Sequence, residues 1–345
     1  MSVSALKFQV GSQESILTYS QRTDKNLNYW YDGTIGAIKN GSNYHFYAPN
    51  GFNPAHTSGP MDDIANTILN TEIKIANVPS EFDYAAGGPI YKIDENNLLM
   101  FVHLERYPEG EVSKFYATYG LALSSDGGIS FTNLGEIITH NKPYDPMKET
   151  AIMAPNCGAS FAIRDGYFYV YFQDMSLADE WNALGVARAS VDNVVNAALS
   201  GQTSFWYKYY NGGFTEPGLG GRSTQLCSFS NSGHSTGWIA STAWIAASYN
   251  TYLNKVILVA SMYENSGIAN AYITTTEDGY SNLESWTELF HEPYEDLYVS
   301  ILGNGTDPNY SDKTFYLYYS RSLIGVTDGW HRWDDATMER RLITV

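Results

Sequence analysis

A hairpin of one kind recurs along this 345-residue chain, and the repeat limits the available folds more than any other feature. In the first copy, residues 31–47, Asp32 precedes a short apolar strand, Asn40-Gly41 marks a tight turn and an aromatic strand returns. An Asn-Gly pair between β-favouring segments is a strong hairpin signal. Related units follow at residues 87–105, 158–174, 244–261 and 298–320.

Each copy is interpreted as an inner strand, a tight turn, an aromatic strand and, after an exposed connection, a third strand. Repeats spaced by about 50–80 residues are typical of propellers and solenoids, and the sequence shows no long helical periodicity. We therefore predict one all-β domain over residues 1–345, a five-bladed β-propeller with four-stranded antiparallel blades. A strand near residues 7–10 would close the last blade. The expected blades are roughly residues 28–80, 83–140, 145–205, 206–292 and 293–345.

A turn motif agrees with this fold. Residues 124–131, Ser-Ser-Asp-Gly-Gly-Ile-Ser-Phe, fit the S-x-D-x-G-x-x-aromatic pattern of turns between outer propeller strands. In such a turn the Asp accepts backbone hydrogen bonds, a Gly supplies a positive φ and the aromatic ring fills the blade. Residues 277–279, with Trp286 beyond them, form a looser relative. We expect Asp126 to be structural and not catalytic.

The charge of the chain excludes some classes of partner. The formal net charge is −17, whereas nucleic acids and anionic membranes need clustered Lys and Arg. No apolar run approaches the roughly 20 residues of a membrane span. The 28 tyrosines, 8 tryptophans and 15 phenylalanines mainly suit strand packing, and a handful are expected to face sugars.

In a propeller of this topology, the heads of the inner strands and the ends of the returning strands meet at one face near the axis. The candidate catalytic carboxylates at such positions are Asp32, Glu105, Asp174 and Glu216. Three arginines, Arg106, Arg222 and Arg321, would hold an acid ionised or bind a carboxylated sugar. The other predicted substrate-binding residues are Trp30, Tyr31, Asp83, Glu149, Asn156, Trp206, Phe214 and Trp244.

Residues 205–223 are rich in glycine and aromatic residues and contain the pair Glu216 and Arg222. Glycine lets a backbone approach a ligand closely, and aromatic faces can stack on sugar rings. We interpret this segment as a substrate loop, with an ordinary connection between blades as the alternative.

Residues 32–47 resemble the first-blade motif of five-bladed β-propeller glycosidases of families 43 and 32. The resemblance implies that Asp32 is the base or nucleophile. Those families place a second Asp near the start of blade three and an acidic Glu near the start of blade four. Here the corresponding positions are Asn156-Cys157 and Thr242-Ala243. The acid must then be one of Glu216, Glu149, Glu105, Asp174 and Asp83.

The leading functional hypothesis is a glycoside hydrolase that acts on a neutral polysaccharide or oligosaccharide through paired carboxylates. The alternative is a non-catalytic carbohydrate-binding propeller of the lectin or adhesin type, which the two positions without a carboxylate favour. A polysaccharide lyase would need a Tyr/His or Lys pair, and nothing in the sequence arranges the available histidines, which are His103, His140, His234 and His331.

No cofactor or metal is predicted, because no ligand spacing stands out. Two cysteines, Cys157 and Cys227, indicate buried thiols and not a disulfide framework or zinc site. The N-terminal residues lack the basic and apolar regions of a signal peptide. A secreted or periplasmic protein whose signal was removed fits this sequence, and so does a cytoplasmic protein.

Overall fold

The computed structural model describes residues 7–107, 116–144, 160–173, 184–226, 242–263, 268–323 and 333–345. Strands dominate these ranges, as predicted. Within them the helices are α1 (Tyr19–Asp24) and α2 (Val191–Leu199), and neither is long and apolar enough to cross a membrane. Two short strands, β1 (Gln9–Val10) and β2 (Glu14–Leu17), precede α1.

The first sheet is an antiparallel meander in chain order. Its turn between the first two strands is the predicted one, since Gly41 has φ 62° between paired Asn40 and Asn43. Its strands are β3 (Gly36–Asn40), β4 (Asn43–Asn50), β5 (Asn53–Gly59) and β6 (Thr67–Asn70).

The second sheet contains the predicted aspartate turn. Asp126 accepts hydrogen bonds from the backbone of Ile129 and Ser130, and Phe131 is buried. The order runs β8–β9–β10–β11, with β7 parallel to β11 at the outer edge. The strands are β7 (Ile75–Ala76), β8 (Tyr84–Lys92), β9 (Leu98–Arg106), β10 (Tyr116–Ser124) and β11 (Phe131–Ile138).

The third sheet extends beyond the boundary expected between residues 205 and 206. Residues 207–217 were expected to open blade four, but they form a hairpin on the outer edge of this sheet. The physical reason is the pair Asn211-Gly212, which turns at φ 48° and 93° between two pairing segments. The strands are β12 (Phe161–Arg164), β13 (Tyr167–Gln173), β14 (Leu184–Ser190), β15 (Tyr207–Tyr210) and β16 (Gly213–Pro217).

The strands expected for blades four and five form one continuous ten-stranded sheet. The two groups join where Ala269 pairs with Glu295 and where Tyr249 pairs with Tyr310, so the number of blades stays a prediction. The strands are β17 (Thr242–Asn250), β18 (Lys255–Tyr263), β19 (Ala269–Thr276), β20 (Thr287–Glu288), β21 (Tyr294–Gly303), β22 (Tyr310–Ser311), β23 (Thr314–Leu323) and β24 (Thr337–Thr344).

The N-terminal strand expected near residues 7–10 pairs with the last C-terminal strand. β1 pairs antiparallel with β24, with Gln9 opposite Thr344 and Val10 opposite Ile343, and β2 pairs with the same strand further along. Two hydrogen bonds from arginines reinforce this junction: Arg340 Nε donates to the Glu14 carboxylate (2.8 Å) and Arg341 Nη1 to the Gly11 carbonyl (3.2 Å).

The first strands of neighbouring units lie against one another: β3 against β8, β12 against β17, and β17 against β21. The closest approach is between Gly36 and Gly88. A Cβ placed on Gly36 would lie 1.8 Å from the Gly88 carbonyl oxygen, and a Cβ on Gly88 would lie 1.8 Å from that of Thr34. Because real Cβ atoms cannot approach so closely, both positions require glycine.

The turn at residues 304–312, between β21 and β23, crosses one end of these strands. Asn309 Nδ2 donates to the Ile90 carbonyl at the end of β8 (3.1 Å), and Ser248 Oγ of β17 donates to the Asn309 carbonyl (3.1 Å). Tyr44 OH of β4 donates to the Gly305 carbonyl (3.1 Å). The turn therefore covers this end, and the opposite end carries the heads of the inner strands.

Gly88→Ala is expected to lower the free energy of unfolding by at least about 2 kcal/mol, because the new methyl group overlaps a main-chain carbonyl that cannot rotate away. Urea titration measures the change. Gly305→Ala is the matched control, since a Cβ there meets nothing within 4 Å. Equal stability of the two variants would contradict the proposed contact.

Candidate active site

Asp32 lies just before β3, at the end that carries the heads of the inner strands. Its amide donates to the Pro49 carbonyl at the end of β4 (2.9 Å), and Trp30 bridges Asn50 beside it. The Asp32 side chain is partly buried. The first hairpin thus holds its leading carboxylate at the end of two strands, as the sequence predicted for the head of an inner strand.

The surroundings of Asp32 make its carboxyl unusually basic. Burial raises the pKa of Asp32 to about 7; a hydrogen bond with Tyr298 acts in the opposite direction, and the nearby Glu105 carboxylate raises the pKa further. Tyr298 belongs to β21, at an irregularity between Leu297 and Ser300, and it has φ 57°. Backbone strain of this kind clusters at active sites and ligand-binding positions.

Glu105, near the end of β9, is the second carboxylate of this group. Its Oε1 lies 2.6 Å from His103 Nε2, and its Oε2 accepts a hydrogen bond from Tyr107 OH (2.7 Å). His103 and Glu105 are two residues apart on one strand and share a face. Both carboxyl oxygens of Glu105 therefore have a polar partner close by in the chain.

Asp83 stands beside this pair at the head of β8. Its side chain accepts a hydrogen bond from the Tyr107 amide (2.6 Å), and its own amide donates to the Glu105 carbonyl (2.8 Å). Asp83 is exposed. The structure therefore brings Asp83 next to Glu105, and it couples Glu105 to Asp32, in agreement with the expected meeting of strand heads and strand ends.

Three contributors were not among the predicted site residues. His103 on β9 and Tyr107 just after it flank Glu105 at a spacing of two residues, and this alternation was a signal available in the sequence. Tyr298 carried no signal, because it lies 266 residues from Asp32 in the chain and its contact depends on the irregularity in β21.

The three predicted arginines are each engaged by a carboxylate other than Asp32 and Glu105. Arg321 binds Asp296 through two hydrogen bonds (2.7 and 2.8 Å) and is also paired with Glu292. Arg106 pairs with Glu81 (3.5 Å) and lies over the Phe82 ring, and Arg222 pairs with Glu216 (3.0 Å).

Glu216 lies on β16, at the opposite edge of the third sheet from β12. Hydrogen bonds from the Arg222 side chain and amide lower the pKa of Glu216, which is the reverse of what a general acid needs. This position does not fit the predicted catalytic role. Phe214, in the same hairpin, packs against the Arg188 guanidinium (4.0 Å), so the expected substrate loop is an outer hairpin.

Trp30, Tyr31 and Trp206 are also corrected by the structure. Trp30 and Tyr31 are 0% exposed, and Trp206 is 3% exposed. Trp30 and Tyr31 belong to the core around β3, and Tyr31 OH donates to the Tyr319 carbonyl (2.8 Å). Trp206 packs against Phe101 and Phe168. None of the three offers a face to a ligand, because their apolar rings fill the spaces between strands.

Several predictions fall outside the described residues. Trp244 lies on β17, but its side chain is not described. No group of three or more potential metal ligands occurs in the described ranges. The other predictions outside those ranges concern Glu149, Asn156, Asp174, Cys157, Cys227, His234 and His331.

Comparison with solved structures places this fold among the propeller glycosidases. The catalytic domain of the GH62 α-L-arabinofuranosidase of Coprinopsis cinerea is 11% identical, with a TM-score of 0.54 over 98% of this chain and 97% of that one. The arabinanase Arb43A of Bacillus subtilis is 11% identical, with a TM-score of 0.52 over 91% and 93%.

The GH32 β-fructofuranosidase BmSUC1 of Bombyx mori, solved with sucrose, is 13% identical, with a TM-score of 0.51 over 93% of this chain and 64% of that one. No protein-family model matches the sequence, and no curated protein matches it either. The predicted resemblance to propeller glycosidases is thus confirmed at the level of the fold.

Asp32→Asn is expected to stabilise the protein above pH 7, because the folded state must ionise a carboxyl whose pKa is raised from 3.8 to about 7. In the wild type, ionising Asp32 lowers the free energy of unfolding by nothing below pH 4 and by a growing amount between pH 4 and 7. Above pH 7 the loss is constant, at most about 4 kcal/mol. Denaturant titrations from pH 4 to pH 8 measure it. Glu277→Gln, at an exposed carboxylate, serves as the control, and a pH-independent difference for Asp32→Asn would contradict the shift.

Proposed function

We propose that this protein is a glycoside hydrolase whose reaction is centred on Asp32, with Glu105 as the adjoining carboxylate. The observation that carries the proposal is the environment of Asp32: a partly buried carboxyl at the head of an inner strand, hydrogen-bonded to Tyr298 and coupled to the bonded pair His103 and Glu105. A fold shared with glycosidases supports the same reaction class.

In this proposal Asp32 is the base or nucleophile. A pKa near 7 makes its carboxylate a strong proton acceptor at neutral pH. It removes a proton from the attacking water, or attacks the anomeric carbon itself, while a second carboxyl protonates the departing glycosidic oxygen. Glu105 sustains the basicity of Asp32 through its negative charge, and His103 and Tyr107 hold Glu105 in place.

The proton donor is proposed to be Asp174. It follows β13 directly in the sequence, as Glu105 stands near the end of β9, so the two belong to the same class of strand end. The substrate is proposed to be a neutral polysaccharide or oligosaccharide, because a chain with net charge −17 would repel a polyanion.

Hydrolysis across a panel of neutral glycans tests the assignment. Asp32→Asn is expected to lower kcat by at least about 100-fold, because an amide neither accepts the proton nor attacks. Glu105→Gln is expected to lower it as well, by a smaller factor. Glu277→Gln should match the wild type, and retention of full activity in Glu216→Gln would remove that residue from the mechanism. Equal turnover by Asp32→Asn and wild type would overturn the proposal.

The pH dependence of kcat/KM provides a separate test. Activity is expected to rise with pH through a midpoint near 7, as Asp32 loses its proton. In Glu105→Gln the midpoint should move to lower pH, since loss of a neighbouring negative charge stabilises the ionised form of Asp32. An unchanged midpoint in that variant would contradict the coupling between the two carboxylates.

A non-catalytic carbohydrate-binding protein is the second candidate. The specific observation in its favour is the sequence at the heads of the third and fourth units, Asn156-Cys157 and Thr242-Ala243, where the resembling families carry carboxylates. Saturable binding of a glycan without release of reducing ends, in the wild type as in Asp32→Asn, would establish this function instead.

A further inference from the structure

Two exposed aromatic rings stand at the rim of the site. Tyr29 is 50% exposed and Phe52 is 57% exposed. Both lie on the segments that hold Asp32: the Tyr29 amide donates to Asn50 Oδ1 (2.9 Å), and Phe52 belongs to the turn between β4 and β5 that follows. Single exposed rings are common on protein surfaces, but exposed rings grouped beside a candidate active site are typical of ligand-binding surfaces.

Tyr29 is the outer end of a row of aromatic side chains that leads to Asp32. Its ring meets Trp333 edge-on, with 6.0 Å between the centroids. Trp333 stacks on Tyr298 at 5.5 Å, and Tyr298 is the hydrogen-bond partner of Asp32. The row therefore connects an exposed ring to the first carboxylate without a gap.

Phe52 is the outer end of a second row, which leads to Glu105. Its ring contacts Tyr84 at 5.7 Å between centroids. Tyr84 meets His103 edge-on at 5.8 Å, and His103 is bonded to Glu105. Each carboxylate is thus backed by packed aromatic rings, and each row ends in one ring that is half open to solvent.

We propose that Tyr29 and Phe52 form two sugar-binding subsites beside Asp32, which take successive rings of a neutral polysaccharide chain. The proposal deepens the proposed function, because it takes the surroundings of Asp32 to be a glycan site. The C–H faces of sugar rings are apolar and stack on aromatic faces, as the amphipathic character of Tyr allows. The packed rings behind Tyr29 and Phe52, which are Trp333 and Tyr84, hold both in place, so little conformational freedom is lost on binding.

Another exposed aromatic residue, Tyr252, lies far from Asp32. Tyr252 is 56% exposed, but it belongs to the turn between β17 and β18, at the end of the strands that the 304–312 turn covers. Its exposure matches that of Phe52, and its position excludes contact with a chain bound over Asp32. Tyr252→Ala is therefore a matched control.

Affinity electrophoresis in native gels tests the subsites, with arabinan, arabinoxylan, galactan and inulin as the probes. All proteins carry Asp32→Asn, so that the polymers stay intact. For the polymer that retards the parent protein, Tyr29→Ala and Phe52→Ala should each weaken binding by about tenfold, as expected for losing one stacked ring. Tyr29→Phe should retain binding, and Tyr252→Ala should bind as the parent does.

Unchanged retardation of Tyr29→Ala and Phe52→Ala would overturn the subsites, and so would a parent protein that none of the four polymers retards. Thermal unfolding of each variant shows whether a loss of binding reflects a loss of folding. The proposed hydrolase is judged separately, by product release from the protein with Asp32 intact. If binding depends on Tyr29 and Phe52 but no product is released, the hydrolase proposal is rejected and the subsites stand. If product is released but binding does not depend on these rings, the subsites are rejected and the hydrolase proposal stands.

Discussion

The contact between the backbones of β3 and β8 is the constraint on which the site depends. At Gly36 and Gly88 these strands approach so closely that no side chain fits between them. This approach sets the distance between the strand that follows Asp32 and the sheet that carries Glu105. Without it, the carboxylates would face each other across a wider, wetter gap, and their charges would be screened from one another.

The raised pKa of Asp32 follows from burial between closely packed strands. Removing water from a carboxyl disfavours its charged form, and for Asp32 a hydrogen bond with Tyr298 on β21 and the nearby His103 offset this only in part. Asp296, two residues before Tyr298 on that strand, has a different partner: burial also raises its pKa, to about 6, but two hydrogen bonds from Arg321 hold it in a network. The two aspartates thus differ in their hydrogen-bond partners, a tyrosine for Asp32 and an arginine for Asp296.

The sequence predicted the strand-rich fold, the Asn40-Gly41 hairpin, the aspartate turn at Asp126 and the closing strand, because each depends on local turn chemistry or on a repeat. It placed Asp32, Asp83 and Glu105 at one end of the strands for the same reason. It misassigned residues 207–217, since it treated glycine and aromatic content as a loop and overlooked the turn at Asn211-Gly212. It also predicted Trp30, Tyr31 and Trp206 as substrate-binding residues. Composition alone does not distinguish an aromatic ring that stacks on a sugar from one that packs in the core.

Closure of the last sheet has a consequence for how this chain reaches its native state. The strand β24 is held by β1 and β2, and the hydrogen bond from Arg341 to Gly11 spans 330 positions of sequence. Contacts of such separation are costly in loop entropy and form late. Until β1 and β2 pair with it, the outer edge of β24 has no strand partner. Before this pairing the open edge is a place where another chain could pair.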